Sequence, residues 1–163
     1  MKVYAHRANL DGPGTGDNRR EAIQECLRSG IGVEVDVWGI EGELWVGHDE
    51  PAWKLSDDLA SSPDVMCHAK NVEAVTVLRN KAAQFFCLDR DLFALCSNGL
   101  IWANYGCEPT PWSVMCSPEL VGAPESIEQF WPRVARAYGV CTDFPRRYRE
   151  LQSRAAAIPD VAQ

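Results

Sequence analysis

Apolar and polar residues alternate through Val33-Glu34-Val35-Asp36-Val37, and in an extended strand that period of two separates them onto opposite faces. Three valines on one side imply packing under helices, and the two carboxylates then share a face that looks into a cavity. Short apolar strands also fit residues 2–6, 44–46, 64–70, 84–88, 100–104, 113–116 and 139–143. Helical spacing predicts a helix over residues 19–28, capped by Asp17 or Asn18 and stopped at Ser29-Gly30. Further helices are expected near 55–60, over 72–83, briefly at 91–96 with Asp91 as a cap, over 127–137 behind Ser126, and over 146–157. Pro132 should kink or split the helix over 127–137.

Eight short strands, several separated by helices, predict a single α/β domain over residues 1–163, a compact (β/α)8 TIM barrel. A barrel of this class usually takes about 250 residues. At 163 residues this one must therefore lack helices, and the short connections place the gaps after strands 2 and 6. A doubly wound open sheet is the competitor, but no Gly-rich phosphate loop follows the first strand.

Composition narrows the partners. The chain is 46% hydrophobic and 24% charged, which is ordinary for a folded globular protein. Its net charge of −7 disfavours nucleic acid and anionic membranes, both of which need clustered Lys and Arg. No stretch of 18 apolar residues and no signal-peptide pattern appears, so a cytoplasmic protein without membrane insertion is expected. The seven cysteines include no CxxC pair, and Cys67, Cys87, Cys116 and Cys141 fall in apolar runs. They read as reduced core residues. Exposed strands at the two helix-poor connections leave room for a homodimer.

The candidate chemistry lies at the strand ends. The three histidines, His6, His48 and His68, each fall at or beside the end of an expected strand, as do Arg7 and Lys70. In a parallel barrel those ends make one rim, shared with Glu34 and Asp36. Carboxylates in a cavity call for a cation, and Arg and Lys offer fixed charge to a phosphate. Paired histidines can take a proton from a nucleophile and return one to a leaving alkoxide. Together these groups suit cleavage of a small-molecule phosphodiester. Asp89, Asp91 and Glu119 are further carboxylate candidates, Trp102 and Tyr105 are candidate pocket walls, and Arg146, Arg147 and Arg149 read as a solvated helix face.

His6-Arg7, Glu34-x-Asp36, Gly47-His48-Asp49, a strand ending in Lys70, and Thr142-Asp143-Phe144-Pro145 follow one another along almost the whole chain. In this order they resemble the motifs of the glycerophosphodiester phosphodiesterases, within the phosphatidylinositol-phospholipase-C-like barrel superfamily. The resemblance implies a barrel without a helix between strands 2 and 3, Glu34 and Asp36 as ligands for Mg²⁺ or Ca²⁺, His6 and His48 as the acid–base pair, and Arg7 and Lys70 as phosphate contacts. Where the family carries a metal-binding glutamate two residues before the lysine, this chain has His68. An imidazole there removes a negative charge and makes Mn²⁺ or Zn²⁺ better tolerated. Ala8 stands where the family has glycine, and residues 50–63 are too few to form the family's inserted cap. Beside hydrolysis stand two alternatives, a phospholipase D- or sphingomyelinase-like enzyme that forms a cyclic phosphate and a degenerate barrel that binds a phosphorylated metabolite.

Overall fold

Strand β2, Gly32–Ile40, is the spine of the molecule. The structure, a computed structural model, describes residues 1–157. As the alternation requires, Val33, Val35 and Val37 are wholly buried on one face of β2 while Glu34 and Asp36 occupy the other, 3% and 1% exposed. Parallel partners flank β2 on both sides: β1 (Lys2–His6) on one and β5 (Val65–Ala69) on the other. Strand β3 (Glu43–Val46) returns antiparallel on the C-terminal half of β2, and β4 (Trp53–Lys54) pairs antiparallel with β3.

Beyond β5 lies β6 (Phe85–Phe86), and beyond β1 lie β10 (Gly139–Thr142), β9 (Ser113–Cys116) and β8 (Ile101–Ala103), all joined in parallel. A short strand β7 (Phe93–Leu95) runs antiparallel on β8. The fold is thus mixed α/β around one ten-stranded, mostly parallel sheet. The expected closed ring of eight parallel strands is corrected in two respects. The segment at 44–46 is antiparallel, and no ladder joins β6 to β8, so the sheet is open.

The open sheet nevertheless curls. Tyr4 of β1 meets the edge of Trp102 of β8 with ring centroids 6.0 Å apart, and Phe86 of β6 stacks on Trp102 at 4.3 Å. These rings join Met66, Val114, Cys116 and Cys141 in a single buried cluster on the concave side. At the gap, Ser97 N donates to the Phe85 carbonyl at 2.8 Å and Ser97 Oγ accepts from Phe85 N at 3.0 Å, so a loop substitutes for the missing ladder.

Helices cover the convex face. Helix α1 (Arg20–Arg28) turns Ala22, Ile23 and Cys26 inward at helical spacing. After the one-turn α2 (Asp57–Ala60) comes α3 (Val72–Asn80), capped by the Asn71 side chain, which accepts from Ala74 N at 2.9 Å. Helix α4 (Ile127–Val134) starts in a capping box between Ser126 and Gln129, and α5 (Pro145–Ala156) begins on a proline whose missing N–H costs nothing there. Pro132 neither splits nor ends α4 at once; the helix stops two residues later, short of the expected 137. No helix follows β2 or β8, as expected, and a third connection, from β6 to β8, lacks one as well.

Three further expectations change. Residues 91–96 form no helix, since Phe93–Leu95 pair with β8, and Asp91 therefore caps nothing. The first helix takes Arg19 as its N-cap, with no side-chain cap bond, because Asn18 is turned toward the sheet. Cys87 is exposed rather than packed in the core, whereas Cys67, Cys116 and Cys141 are buried, and all seven cysteines are free thiols. No helix among the described residues is long and apolar enough to cross a membrane.

Candidate active site

Chain direction brings the acidic face of β2 together with the ends of its neighbours. Leaving β1, the backbone takes two left-handed residues, Arg7 at φ 49 and Ala8 at φ 60. This turn aims Arg7 N at Glu34 Oε2, 3.1 Å away, and sets Arg7 Nε 3.2 Å from Asp36 Oδ2. The guanidinium is not aligned to donate in that ion pair, so its buried Nε–H has no protein acceptor. Ala8 adopts the left-handed conformation that glycine tolerates best.

The loop that follows is held by Asn9, which sequence reasoning passed over, and by Asn18, expected there as a candidate helix cap. Asn9 Oδ1 accepts from Gly16 N at 2.7 Å and from Asp17 N at 3.1 Å, while its Nδ2 donates to Asp143 Oδ1 at 2.7 Å. Asn18, also left-handed, forms a two-way clasp on Asp36. Its Nδ2 donates to Oδ2 at 3.0 Å, and its Oδ1 accepts from Asp36 N at 3.2 Å. The available signal was two asparagines in a Gly-rich loop, where Asn is the residue most tolerant of left-handed backbone after Gly.

His68 lies beside Asp36 in the β2–β5 register and faces the acids. Its Nδ1 is 3.1 Å from Asp36 Oδ1 and 3.8 Å from Glu34 Oε1. On the other side Nε2 is 3.1 Å from the Leu88 carbonyl, which only accepts, so Nε2 carries a hydrogen. Nδ1 is then the atom turned to the carboxylates, where either a proton or a metal can sit. Lys70 Nζ adds a contact of 3.4 Å to Asp36 Oδ1.

His6 and His48 follow a common pattern, each with a carboxylate at Nδ1. For His6 it is Asp143, at 2.8 Å. Asp143 is in turn fixed by Asn9 and by its own N–H, which donates to Glu119 Oε1 at 3.1 Å. Glu119, ambiguous in the sequence, is thus a support for Asp143, held also by Thr142 and Ser117. For His48 the partner is the exposed Asp49, at 2.7 Å.

The antiparallel return of β3 explains how His48 arrives. Gly47 N donates to the Asp36 carbonyl at 3.1 Å, and Trp38 Nε1 donates to the Gly47 carbonyl at 2.7 Å. A Cβ at Gly47 would stand 2.0 Å from the Glu50 carbonyl oxygen, so this return admits only glycine. His48 lines a cleft of about 670 Å³ together with Arg7, Asn18 and Trp53.

Electrostatics follow from burial and neighbours. Burial, and then the charge of Asp36, raise the Glu34 carboxyl above its usual range. Burial acts on Asp36 in the same direction, but hydrogen bonds from His68 and Asn18 and the Lys70 charge outweigh it and hold Asp36 well below that range. For His6, burial opposes protonation, yet Asp143 and the Glu34 charge prevail and the ring is raised. His68 is raised in the same way, against burial, by Asp36 and Glu34.

Glu34, Asp36 and His68 each turn one ligand atom into a space where all lie within 4.8 Å of one another. Two carboxylates and one imidazole, the latter fixed from behind by a carbonyl, are a donor set that fits a divalent cation and leaves positions for water and a phosphate. Of the remaining candidates, Asp89 and Asp91 lie outside this group and line a second cleft. Trp102 is buried in the concave cluster, and Tyr105 packs on Phe130, so neither lines the His48 cleft. Arg146 and Arg147 are exposed and ion-paired, with Asp11 and Glu25 and with Glu128 and Glu150 respectively. Comparison with protein-family models, curated proteins and solved structures found no match to this chain.

Proposed function

We propose that the chain is a divalent-metal-dependent phosphodiester hydrolase of the glycerophosphodiester phosphodiesterase kind, built on an opened relative of the (β/α)8 barrel. One observation carries the reading: the buried Arg7 Nε–H has no protein acceptor although it lies beside the acids that would hold the cation, and a phosphate oxygen would complete it. Glu34, Asp36 and His68 would hold the metal, whose contribution is Lewis-acid neutralisation of phosphate charge. Arg7 and Lys70 bind the non-bridging oxygens. With Nδ1–H given to Asp143, His6 presents the Nε2 lone pair and takes a proton from the attacking water. His48, in the adjoining cleft, returns a proton to the leaving alkoxide.

The experiment is hydrolysis of bis(p-nitrophenyl) phosphate with Mg²⁺, Ca²⁺, Mn²⁺ or Zn²⁺ by the wild type, His6→Ala and Asp36→Asn. Turnover with at least one metal, lost in both variants, supports the reading. Absence of turnover with every metal removes it in favour of a second reading, a phosphate-binding protein. That alternative has its own support, because Asp36 is already paired with Arg7, Asn18, His68 and Lys70 by groups of the chain itself.

A further inference from the structure

Asp36 stands between two clefts. Its Oδ2 faces Asn18 and Arg7, which line the cleft of about 670 Å³ that contains His48. Its Oδ1 faces His68 and Lys70, which line a second cleft of about 500 Å³. A phosphodiester has two ester arms and one phosphorus. A phosphate bound between Arg7 and Lys70, each of which lines one of the clefts, would send one arm into each.

The two clefts differ in chemistry. The first holds a histidine whose ring is 36% exposed and free to reach a substrate oxygen. In the second the only imidazole is His68, and both its nitrogens are engaged, with Asp36 and with the Leu88 carbonyl. Of the other proton donors lining it, Lys70 is paired with Asp36 and in the hydrolase reading binds a non-bridging oxygen. The Cys87 thiol is a far weaker acid than an imidazolium, so neither serves a leaving alkoxide as His48 does. The second cleft carries an apolar strip of Ala69, Val72, Val75 and Leu88 beside the polar His68, Lys70 and Asn71, with Val72 83% exposed. Asp89 and Asp91 set two carboxylates at this cleft, the first of them 3.9 Å from Arg90.

We infer that the substrate is an asymmetric phosphodiester whose retained arm is neutral and apolar and lies along Val72, Val75 and Leu88, while the arm in the His48 cleft leaves as the free alcohol. This deepens the hydrolase reading and rests on it. Water adds to phosphorus and gives its proton to His6; the P–O bond on the His48 side breaks, and that oxygen takes a proton from His48. The products are one alcohol and one phosphomonoester that keeps the apolar arm. The apolar strip favours an alkyl arm, and the Asp89 and Asp91 carboxylates disfavour a second anionic group.

The test uses p-nitrophenyl methyl phosphate and p-nitrophenyl butyl phosphate with wild type and Val72→Asp. A fully buried methylene is worth about fourfold in affinity, and partial burial of three in an open cleft gives a KM about tenfold lower for the butyl ester. Val72→Asp should raise KM for the butyl ester to that of the methyl ester and so remove the preference. Val72 is exposed and is the first residue of α3, where an aspartate suits the helix, so the variant should fold. Equal KM values in the wild type, or a butyl preference that survives Val72→Asp, overturn the inference while leaving the hydrolase reading intact. Should neither ester be hydrolysed, calorimetric binding of dibutyl against dimethyl phosphate decides it. Tighter dibutyl binding that Val72→Asp abolishes supports the second cleft, and equal binding ends the proposal.

Discussion

Asp143 Oδ1 lies 2.8 Å from His6 Nδ1, and the same oxygen accepts from Asn9 Nδ2 at 2.7 Å. The carboxylate therefore holds the imidazole from behind, in the tautomer whose Nε2 is free to accept a proton. Asp143→Asn keeps the shape and loses the preference. In a protease triad that change cost about 10⁴ in kcat, and a loss of 10² or more is expected here, with KM nearly unchanged. The pH profile should move with it. His6 is raised by Asp143 and Glu34, so removing one carboxylate lowers the pH at which the base becomes available. Rate profiles of the two proteins that coincide in shape and limb position would separate Asp143 from catalysis.

The leaving-group role of His48 is read by changing the leaving group. A p-nitrophenolate departs without a proton, whereas an alkoxide needs one. His48→Ala should therefore slow hydrolysis of an alkyl diester by about 10²-fold or more and a p-nitrophenyl diester by far less. His6→Ala should slow both alike, because the attacking water is common to them. Equal losses on the two substrates for His48→Ala would show that His48 does not act as the acid.

His68 sets the metal preference. With two carboxylates and an imidazole the site should take Mn²⁺ or Zn²⁺ in preference to Mg²⁺ or Ca²⁺, and His68→Glu should reverse the order. Titration calorimetry measures it directly. A pH trend accompanies the preference. The folded, metal-free protein holds protons on Glu34 and His68 to higher pH than free side chains do, and the metal must displace them. Affinity should climb as pH rises through these raised values and then level off. Metal binding that is flat in pH, or unchanged by His68→Glu, would count against this ligand set.

A glycine outside the site controls one of its walls. A Cβ on Gly39 would lie 2.3 Å from Ala74 N, in the backbone of α3. Strand and helix touch here, and the Asn71 side chain clamps the contact by donating to the Gly39 carbonyl and accepting from Gly39 N, both at 2.9 Å. Gly39→Ala must push α3 away, and overpacking of this kind costs about 1–3 kcal/mol. The urea midpoint should fall accordingly, and the apolar cleft carried on α3 should lose its butyl preference. A midpoint equal to the wild type would mean the helix shifts without cost.

Much of this was legible in the chain because local rules suffice for it. The period-two alternation of β2 placed Glu34 and Asp36 on one face, and Ser126 announced the start of α4. The strand ends carrying His6, His68 and Lys70 followed from the same alternation. What escaped depends on tertiary geometry. Residues 91–96 have helical spacing, but the free edge of β8 captured them as a strand. Asn18 looks like a helix cap until the loop, pinned by Asn9, turns it onto Asp36. Whether the ring closes could not be read either, since the gap between β6 and β8 depends on how far the Phe86–Trp102 stack lets the sheet curl.

The buried thiols make a separate prediction about alkaline stability. Burial pushes Cys26, Cys67, Cys96 and Cys116 up to about 12, against 9.0 for an ordinary thiol. Once unfolded, the chain ionises these groups from about pH 9, while the folded protein keeps them neutral to about pH 12. Their contribution to stability is complete below pH 9 and is lost as pH rises through that window, by at most about 1.4 kcal/mol per pH unit for each group. Tyr4 and Tyr148, also raised by burial, act in the same direction, so the thiol share is isolated by difference. Urea midpoints measured from pH 8 to 11 should fall less steeply in Cys67→Ala and in Cys116→Ala than in the wild type, whatever the starting stability of each variant. Below pH 9, only Cys87 and Cys107, the two thiols not buried, should react quickly with a thiol reagent in the folded protein. Identical pH slopes in wild type and variants would place the buried sulfurs in contact with water.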